Sequence, residues 1–130
     1  MLDRVIECVP GSHGIAECDL HADAAWFEGH FPDRHVMPGA LIIEACAQLV
    51  AVTSRMASGL SPAQPAIDML ASVERFKFVS PAVPNETLTV EARLARRLGG
   101  LRRARVSARV GARPVAEGVV DVTEQRVLAG

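Results

Sequence analysis

Glu44 stands between Ile43 and Ala45, inside the longest apolar run of the chain, Ala40 to Val52. A carboxylate among apolar neighbours is costly unless it is paired or protonated, and burial raises its pKa. A carboxyl group becomes a proton donor near neutral pH in this way, so Glu44 is a candidate general acid. The alternative is an exposed edge of the same helix. Gln48, one helical turn on, shares its face and is placed to hold Glu44 or a water. His30 lies in Trp26-Phe27-Glu28-Gly29-His30-Phe31-Pro32, with aromatics on both sides and the acid fourteen residues later. Histidine is the usual base at neutral pH, although a single loop histidine is more often structural. His35 is the weaker candidate, and His13 and His21 read as turn and strand-end residues. Pro38-Gly39 precedes the apolar run. A helix starting there gathers free N–H groups and the positive end of its dipole, and glycine lets a ligand approach the backbone. The Gly39 N–H is therefore a candidate donor to a carbonyl oxygen.

Other groups are less promising. Cys46 follows Glu44 by two positions, points elsewhere on the helix, and reads as a small buried hydrophobe. Phe76 and Phe78 share one face of a strand and suit a core. Cys8, Cys18 and Cys46 are an odd number without metal-ligand spacing, which suits reduced thiols in a reducing compartment. The chain has no tyrosine and one lysine, Lys77, so tyrosine acids are excluded and Schiff-base chemistry rests on that lysine alone.

The elements that must position these groups follow from periodicity. Residues 3–9 and 14–20 read as strands joined by a Pro10-Gly11 turn of type II. Residues 21–38 read as a loop, and such loops in a small domain usually carry function. From Gly39 to about Ser58, apolar residues recur at three- and four-residue steps on nearly every face, predicting a mostly buried helix. Residues 66–79 form a strand that ends at Pro81 and Pro84. Residues 86–97 and 101–110 alternate around a Gly99-Gly100 hairpin turn, and a last strand covers 114–124. One helix covered by one curved antiparallel sheet leaves a side bare, which predicts dimerisation.

Composition narrows the classes. The 130 residues suit one domain, 1–130; 49% are hydrophobic and 22% charged, as in a folded globular protein. A net charge of −1 argues against a nucleic-acid binder. The apolar run is too short to span a bilayer, and the opening residues do not resemble an export signal, so a cytoplasmic protein is expected. Charge is nevertheless uneven. Residues 1–65 carry three arginines and eight acids, whereas Arg93 to Arg113 holds eight arginines and no acid. Most of those arginines suit a solvated face, and Arg102 and Arg103 beside the hairpin turn are the candidates for docking an acidic partner.

Together these residues resemble the (3R)-hydroxyacyl-[acyl-carrier-protein] dehydratases of the hot-dog fold, in which a curved antiparallel sheet wraps one long central helix (α+β). The segments Trp26 to Pro32 and Met37 to Gln48 are similar to that family's signature, in the His-to-Glu spacing and in the Pro-Gly step. Val73 to Glu86, Gly111 to Gly118 and the opening Leu2-Asp3-Arg4-Val5 extend the resemblance over nearly the whole chain. It implies that His30 takes a proton from C2 of the acyl thioester and that Glu44 protonates the departing 3-hydroxyl. It also implies that the Gly39 N–H holds the enolate oxygen, and that Phe31, Pro38, Gln48, Phe76 and Phe78 support the site or line the acyl tunnel.

No metal and no cofactor are implied, since the substrate rides on the phosphopantetheine arm of acyl-carrier protein. The implied assembly is a homodimer or higher oligomer with the site shared between subunits. Glutamate, where related dehydratase–isomerases carry aspartate, implies dehydration without double-bond migration. Three departures stand out. The chain starts at the Leu-Asp-Arg-Val strand without the family's preceding helix, His35 replaces a proline, and Asn85 stands where glycine is common. The resemblance implies fatty acid synthesis, and the departures suggest an accessory pathway, such as polyketide, aryl-polyene or another specialised acyl chain. The competing functions are a hot-dog thioesterase using Glu44 to activate water, and a non-catalytic hot-dog binder of carrier protein or acyl-CoA.

Overall fold

The computed structural model describes residues 2–23, 36–57, 66–95 and 99–126. The first two strands, β1 (Arg4–Val9) and β2 (His13–Asp19), are joined at Pro10-Gly11. Gly11 has φ 75° and the Ser12 N–H donates to the Val9 carbonyl at 2.9 Å, which is the type II turn expected of proline followed by glycine. In β2, buried Gly14, Ala16 and Cys18 alternate with more accessible residues, the signature of a strand with one covered face.

The helix α1 (Gly39–Ala57) presents Ile42, Ala45, Cys46, Leu49, Val50 and Thr53 as a buried stripe. Leu49 is fully buried, worth about 2–3 kcal/mol relative to exposure. Thr53 sits in the same stripe because its hydroxyl donates to the Leu49 carbonyl at 2.8 Å, so no donor is stranded.

Four strands follow: β3 (Ala66–Phe78), β4 (Thr87–Leu94), β5 (Leu101–Val110) and β6 (Arg113–Arg126). Leu88, Val90 and Ala92 of β4 and Ala104, Val106 and Ala108 of β5 face the helix, as their alternation predicts. The sheet order is β1-β2-β4-β5-β6-β3, with every neighbouring pair antiparallel. The helix packs on β4, β5, β6 and β2. One helix on one face of a six-stranded antiparallel sheet is the α+β arrangement that the resemblance implies. Among the described residues, no helix is long and apolar enough to cross a membrane.

Two positions depart from regular backbone, and both have a physical reason. Asn85 has φ 69°, in the Val83-to-Glu86 turn closed by a 3.3 Å bond from the Glu86 N–H to the Val83 carbonyl. The position demands a left-handed conformation, and asparagine is the side-chain-bearing residue that best tolerates it. Arg75 has φ 51° at a bulge where the β3–β6 register shifts between Glu74 and Lys77. The bulge resets the alternation of β3. Glu74 pairs with the exposed Arg103, on the face away from the helix. Strict alternation from Glu74 would carry Phe76 and Phe78 to that outer face. The extra residue returns both phenylalanines to the helix side.

Candidate active site

The start of α1 is held by three backbone bonds. The Met37 N–H donates to the Ala82 carbonyl at 2.8 Å, and the Pro38 carbonyl accepts from Leu41 at 3.0 Å and Ile42 at 3.3 Å. The N–H groups of Gly39 and Ala40 have no acceptor among the described residues. They are the unsatisfied donors of a helix N-terminus, where the dipole also favours negative charge. A groove of about 540 Å³ opens beside them, lined by Met37, Gly39, Ile42, Phe78, Ser80 and Ala82 among others. Its walls are mainly apolar, so a polar oxygen entering there has few competing partners.

Phe78 lies directly against the helix start. A Cβ added to Gly39 would sit 2.7 Å from its Cζ and 3.0 Å from its Cε1, so glycine is what allows the contact. The ring is half exposed, at 51%. Behind it, Phe76 lies with its ring centroid 5.2 Å away at a 45° tilt, and Phe76 in turn packs on Gly118. The sequence places both rings on one strand face, and the structure agrees. The closeness of Phe78 to Gly39 has no sequence signal, because a β3–α1 contact depends on the bulge.

Glu44 departs from the burial expected of it. In the subunit it is exposed, one turn after the equally exposed Ala40. The buried stripe runs through Ile42, Ala45, Cys46 and Leu49, which leaves Glu44 on the side away from the sheet. Apolar neighbours in sequence do not enclose it, since Leu41 and Ile43 are themselves only half-buried. Gln48 does reach it: its Nε2 donates to Glu44 Oε1 at 3.3 Å. Cys46 is buried as expected, and desolvation pushes its thiol up to about 12. Cys18, buried opposite in β2, is raised to about 11 for the same reason. Neither thiol offers a thiolate at neutral pH. His30 and Phe31, together with the weaker candidate His35, lie outside the described residues.

The docking residues also need correction. Arg102 is buried, on the same side of β5 as Ala104, with its Nη1 3.4 Å from the Gly99 carbonyl oxygen. Period two puts it on the core face, so it cannot present charge outward. Arg103 faces out but is neutralised by Asp121 at 2.9 Å and Glu74 at 3.0 Å. Arg109 and Arg113 are likewise paired, with Glu91 and Glu86. By contrast Arg75, Lys77 and Arg105 make no ion pair with another described residue, and Arg93 reaches Glu91 only at 3.6 Å. These four converge on a groove of about 590 Å³ on the outer face of the sheet, with Glu91 and Glu117 beside them.

One long helix packed on one face of a six-stranded antiparallel sheet is the arrangement of a hot-dog protein. The chain belongs to the FabA-like domain family, whose model matches residues 1–119. It is 33% identical over 120 residues to the 3-hydroxyacyl-[acyl-carrier-protein] dehydratase FabZ of Ruminiclostridium cellulolyticum, covering 92% of this chain and 82% of that one. It is 39% identical over 117 residues to the FabZ of Granulibacter bethesdensis, covering 90% of this chain and 68% of the relative. Among solved structures, the dehydratase heterocomplex ApeI:P of Xenorhabdus doucetiae shares the fold. Its TM-score is 0.79 at 17% identity, over 96% of this chain and 82% of that one.

Proposed function

We infer that the chain is a 3-hydroxyacyl-[acyl-carrier-protein] dehydratase, a lyase that removes water from a (3R)-3-hydroxyacyl thioester and leaves the trans-2-enoyl thioester. The observation that carries this reading is the breadth of the likeness. Relatives of that activity match at least nine-tenths of the chain, and the family match runs from the first strand into β6. Residues 1–130 act as one domain in this reading, and the pathway is fatty acid or related acyl-chain synthesis.

In the proposed mechanism His30 takes the proton from C2. Negative charge then moves onto the thioester oxygen, which the Gly39 N–H receives in an oxyanion-hole role. Glu44 gives its proton to the departing 3-hydroxyl, and the C3–O bond breaks to release water. The proton taken by His30 restores Glu44 through solvent. The enzyme exchanges only protons with the substrate and the C3–O bond breaks heterolytically as C2=C3 forms, so no electrons are supplied or taken up. The free donors at the helix start and the apolar groove beside them support this reading.

The active form is a cytoplasmic homodimer. The Ala40–Glu44–Gln48 side of α1 is open in one subunit, and the edge strand β3 carries exposed Met69, Leu70 and Val73. A second subunit laid over that side would bury Glu44, the proton donor of this mechanism. An acidic face of the carrier protein docks on the outer groove of Arg75, Lys77, Arg93 and Arg105, in place of Arg102 and Arg103.

The test is subunit mixing. His30→Ala and Glu44→Gln each lower enoyl formation by about 10²–10⁴. Exchanged together, half the dimers are mixed and each has one intact site, so activity returns to roughly a quarter of wild type. No recovery despite proven exchange would reject the shared site. Free thiol in place of enoyl absorbance would mark a thioesterase, and no product a binding protein.

A further inference from the structure

Phe78 is held in an unusual way for a residue so exposed. Three contacts run in series: Gly118 accepts Phe76, Phe76 supports Phe78, and Phe78 lies on Gly39. A Cβ at Gly118 would meet Phe76 Cγ at 2.8 Å, and one at Gly39 would meet Phe78 Cζ at 2.7 Å. Glycine at both ends therefore lets the pair of rings fit between β6 and the first turn of α1. The arrangement also depends on the left-handed Arg75, whose bulge turns both rings inward. A left-handed arginine is a strained conformation, and such strain gathers at functional sites. A ring placed only to fill the core would be covered. Phe78 instead leaves half its surface open, and it lines the same groove as Gly39.

We propose that Phe78 is the positioning residue that seats the substrate's C1–C3 segment, so that the thioester oxygen falls on the Gly39 N–H. This rests on the dehydratase reading above. The ring closes one side of the donor, so a carbonyl reaches it only from the open side of the groove. A flat thioester enolate lies against the flat ring, and the ring keeps water from competing for the N–H. The consequence is specific. Phe78 acts on the reacting carbons, common to every substrate, and not on the acyl tail. Its loss should therefore lower kcat equally for short and long chains.

The experiment compares Phe78→Ala, Phe78→Leu and Phe78→Tyr with 3-hydroxybutyryl and 3-hydroxydecanoyl thioesters. Misplacing reacting atoms by about 1 Å is enough to cost about 100-fold in rate. Phe78→Ala is expected to lose kcat about 10- to 100-fold for both chains, with KM changed less than about threefold, and Phe78→Tyr to recover most of the loss. A second readout needs no turnover. A 2,4-hexadienoyl thioester of N-acetylcysteamine absorbs at longer wavelength when its carbonyl is polarised. In a Glu44→Gln background the red shift on binding should be present, and it should vanish when Phe78→Ala is added.

Unchanged kcat in Phe78→Ala overturns the proposal, as does a KM rise confined to the long chain, which would make the ring a tail wall. A red shift that survives Phe78→Ala overturns it as well. If Phe78→Ala does not fold, Phe78→Leu decides, and wild-type kcat and red shift in that variant reject the idea. Failure of the dehydratase reading is distinct, since the wild type would then form no enoyl product whatever happens to the dienoyl spectrum.

Discussion

Gly39→Ala separates the stability of the fold from the function of its helix start. The new methyl would stand 2.7 Å from Phe78 Cζ, about 1 Å closer than carbon atoms ordinarily approach. Phe78 is half exposed, so it can swing outward, and strain should fall at the low end of the roughly 1–3 kcal/mol typical of overpacking. Alanine also gains up to about 1 kcal/mol over glycine in a helix, less in its first turn. The net change is about 1 kcal/mol, or roughly 4 °C in Tm for a domain of this size. Catalysis has no such compensation. The methyl enters the space beside the proposed donor and displaces the ring by about 1 Å, and removal of one oxyanion donor costs about 10²–10³ in kcat. Steady-state enoyl formation, followed by its ultraviolet absorbance, and a thermal melt on the same preparation give both numbers. A Gly39→Ala protein with kcat within threefold of wild type would refute the placement of the thioester at the helix start, whatever its Tm.

Other predictions concern charge and thiols. Asp121 is buried and accepts hydrogen bonds from Ser72 and Arg103, and Arg103 holds its carboxyl below the usual value. A lowered folded-state pKa means that this stabilisation is present above about pH 4 and lost as the pH falls through the folded value. Asp121→Ala should therefore cost about 1–3 kcal/mol in urea denaturation at pH 7, with a smaller gap from wild type at pH 3; an equal gap at both would contradict the assignment. Native protein at pH 8 should react with a thiol reagent at Cys8 alone, because Cys18 and Cys46 are buried with raised pKa values. Rapid labelling of all three would disprove that burial. Turnover of carrier-bound substrate should fall with salt far more than turnover of a small thioester, and Arg105→Glu with Lys77→Glu should remove most of the difference. Arg103→Ala should leave the salt dependence intact.

The parts of the fold that could be read from the sequence are those governed by neighbours along the chain. Leu88, Val90 and Ala92, and Ala104, Val106 and Ala108, declare their buried face by period two, and Gly11, Gly99 and Gly111 declare their turns by conformations glycine readily adopts. The helix from Gly39 was equally plain. What stayed hidden depends on geometry between elements. Glu44 looked enclosed because Ile43 and Ala45 flank it, yet a helix buries a stripe and not a run. Arg102 looked outward because it is charged, yet its parity with Ala104 already assigned it to the core face. Asp121 carries no local signal among its apolar neighbours, because its partners, Ser72 and Arg103, are far away in sequence. The inward turn of Phe76 and Phe78 needed the bulge at Arg75, which no local rule foretells.

The strand order also dictates an order of assembly. Ala92 pairs with Val106 and Val106 with Gly118, partners fewer than twenty residues apart, whereas Ala16 pairs with Val90 across more than seventy. Closing the longer loop costs about 1.5 kcal/mol more in chain entropy. The β4-β5-β6 meander is therefore suited to nucleate, and the N-terminal hairpin docks onto β4 only afterwards. His30 lies in sequence between β2 and α1, so the last docking step also fixes the ends between which it is strung. Refolding should thus show the meander protected from hydrogen exchange before enzymatic activity returns, and a chain emerging from the ribosome should stay inactive until its last strands have been made.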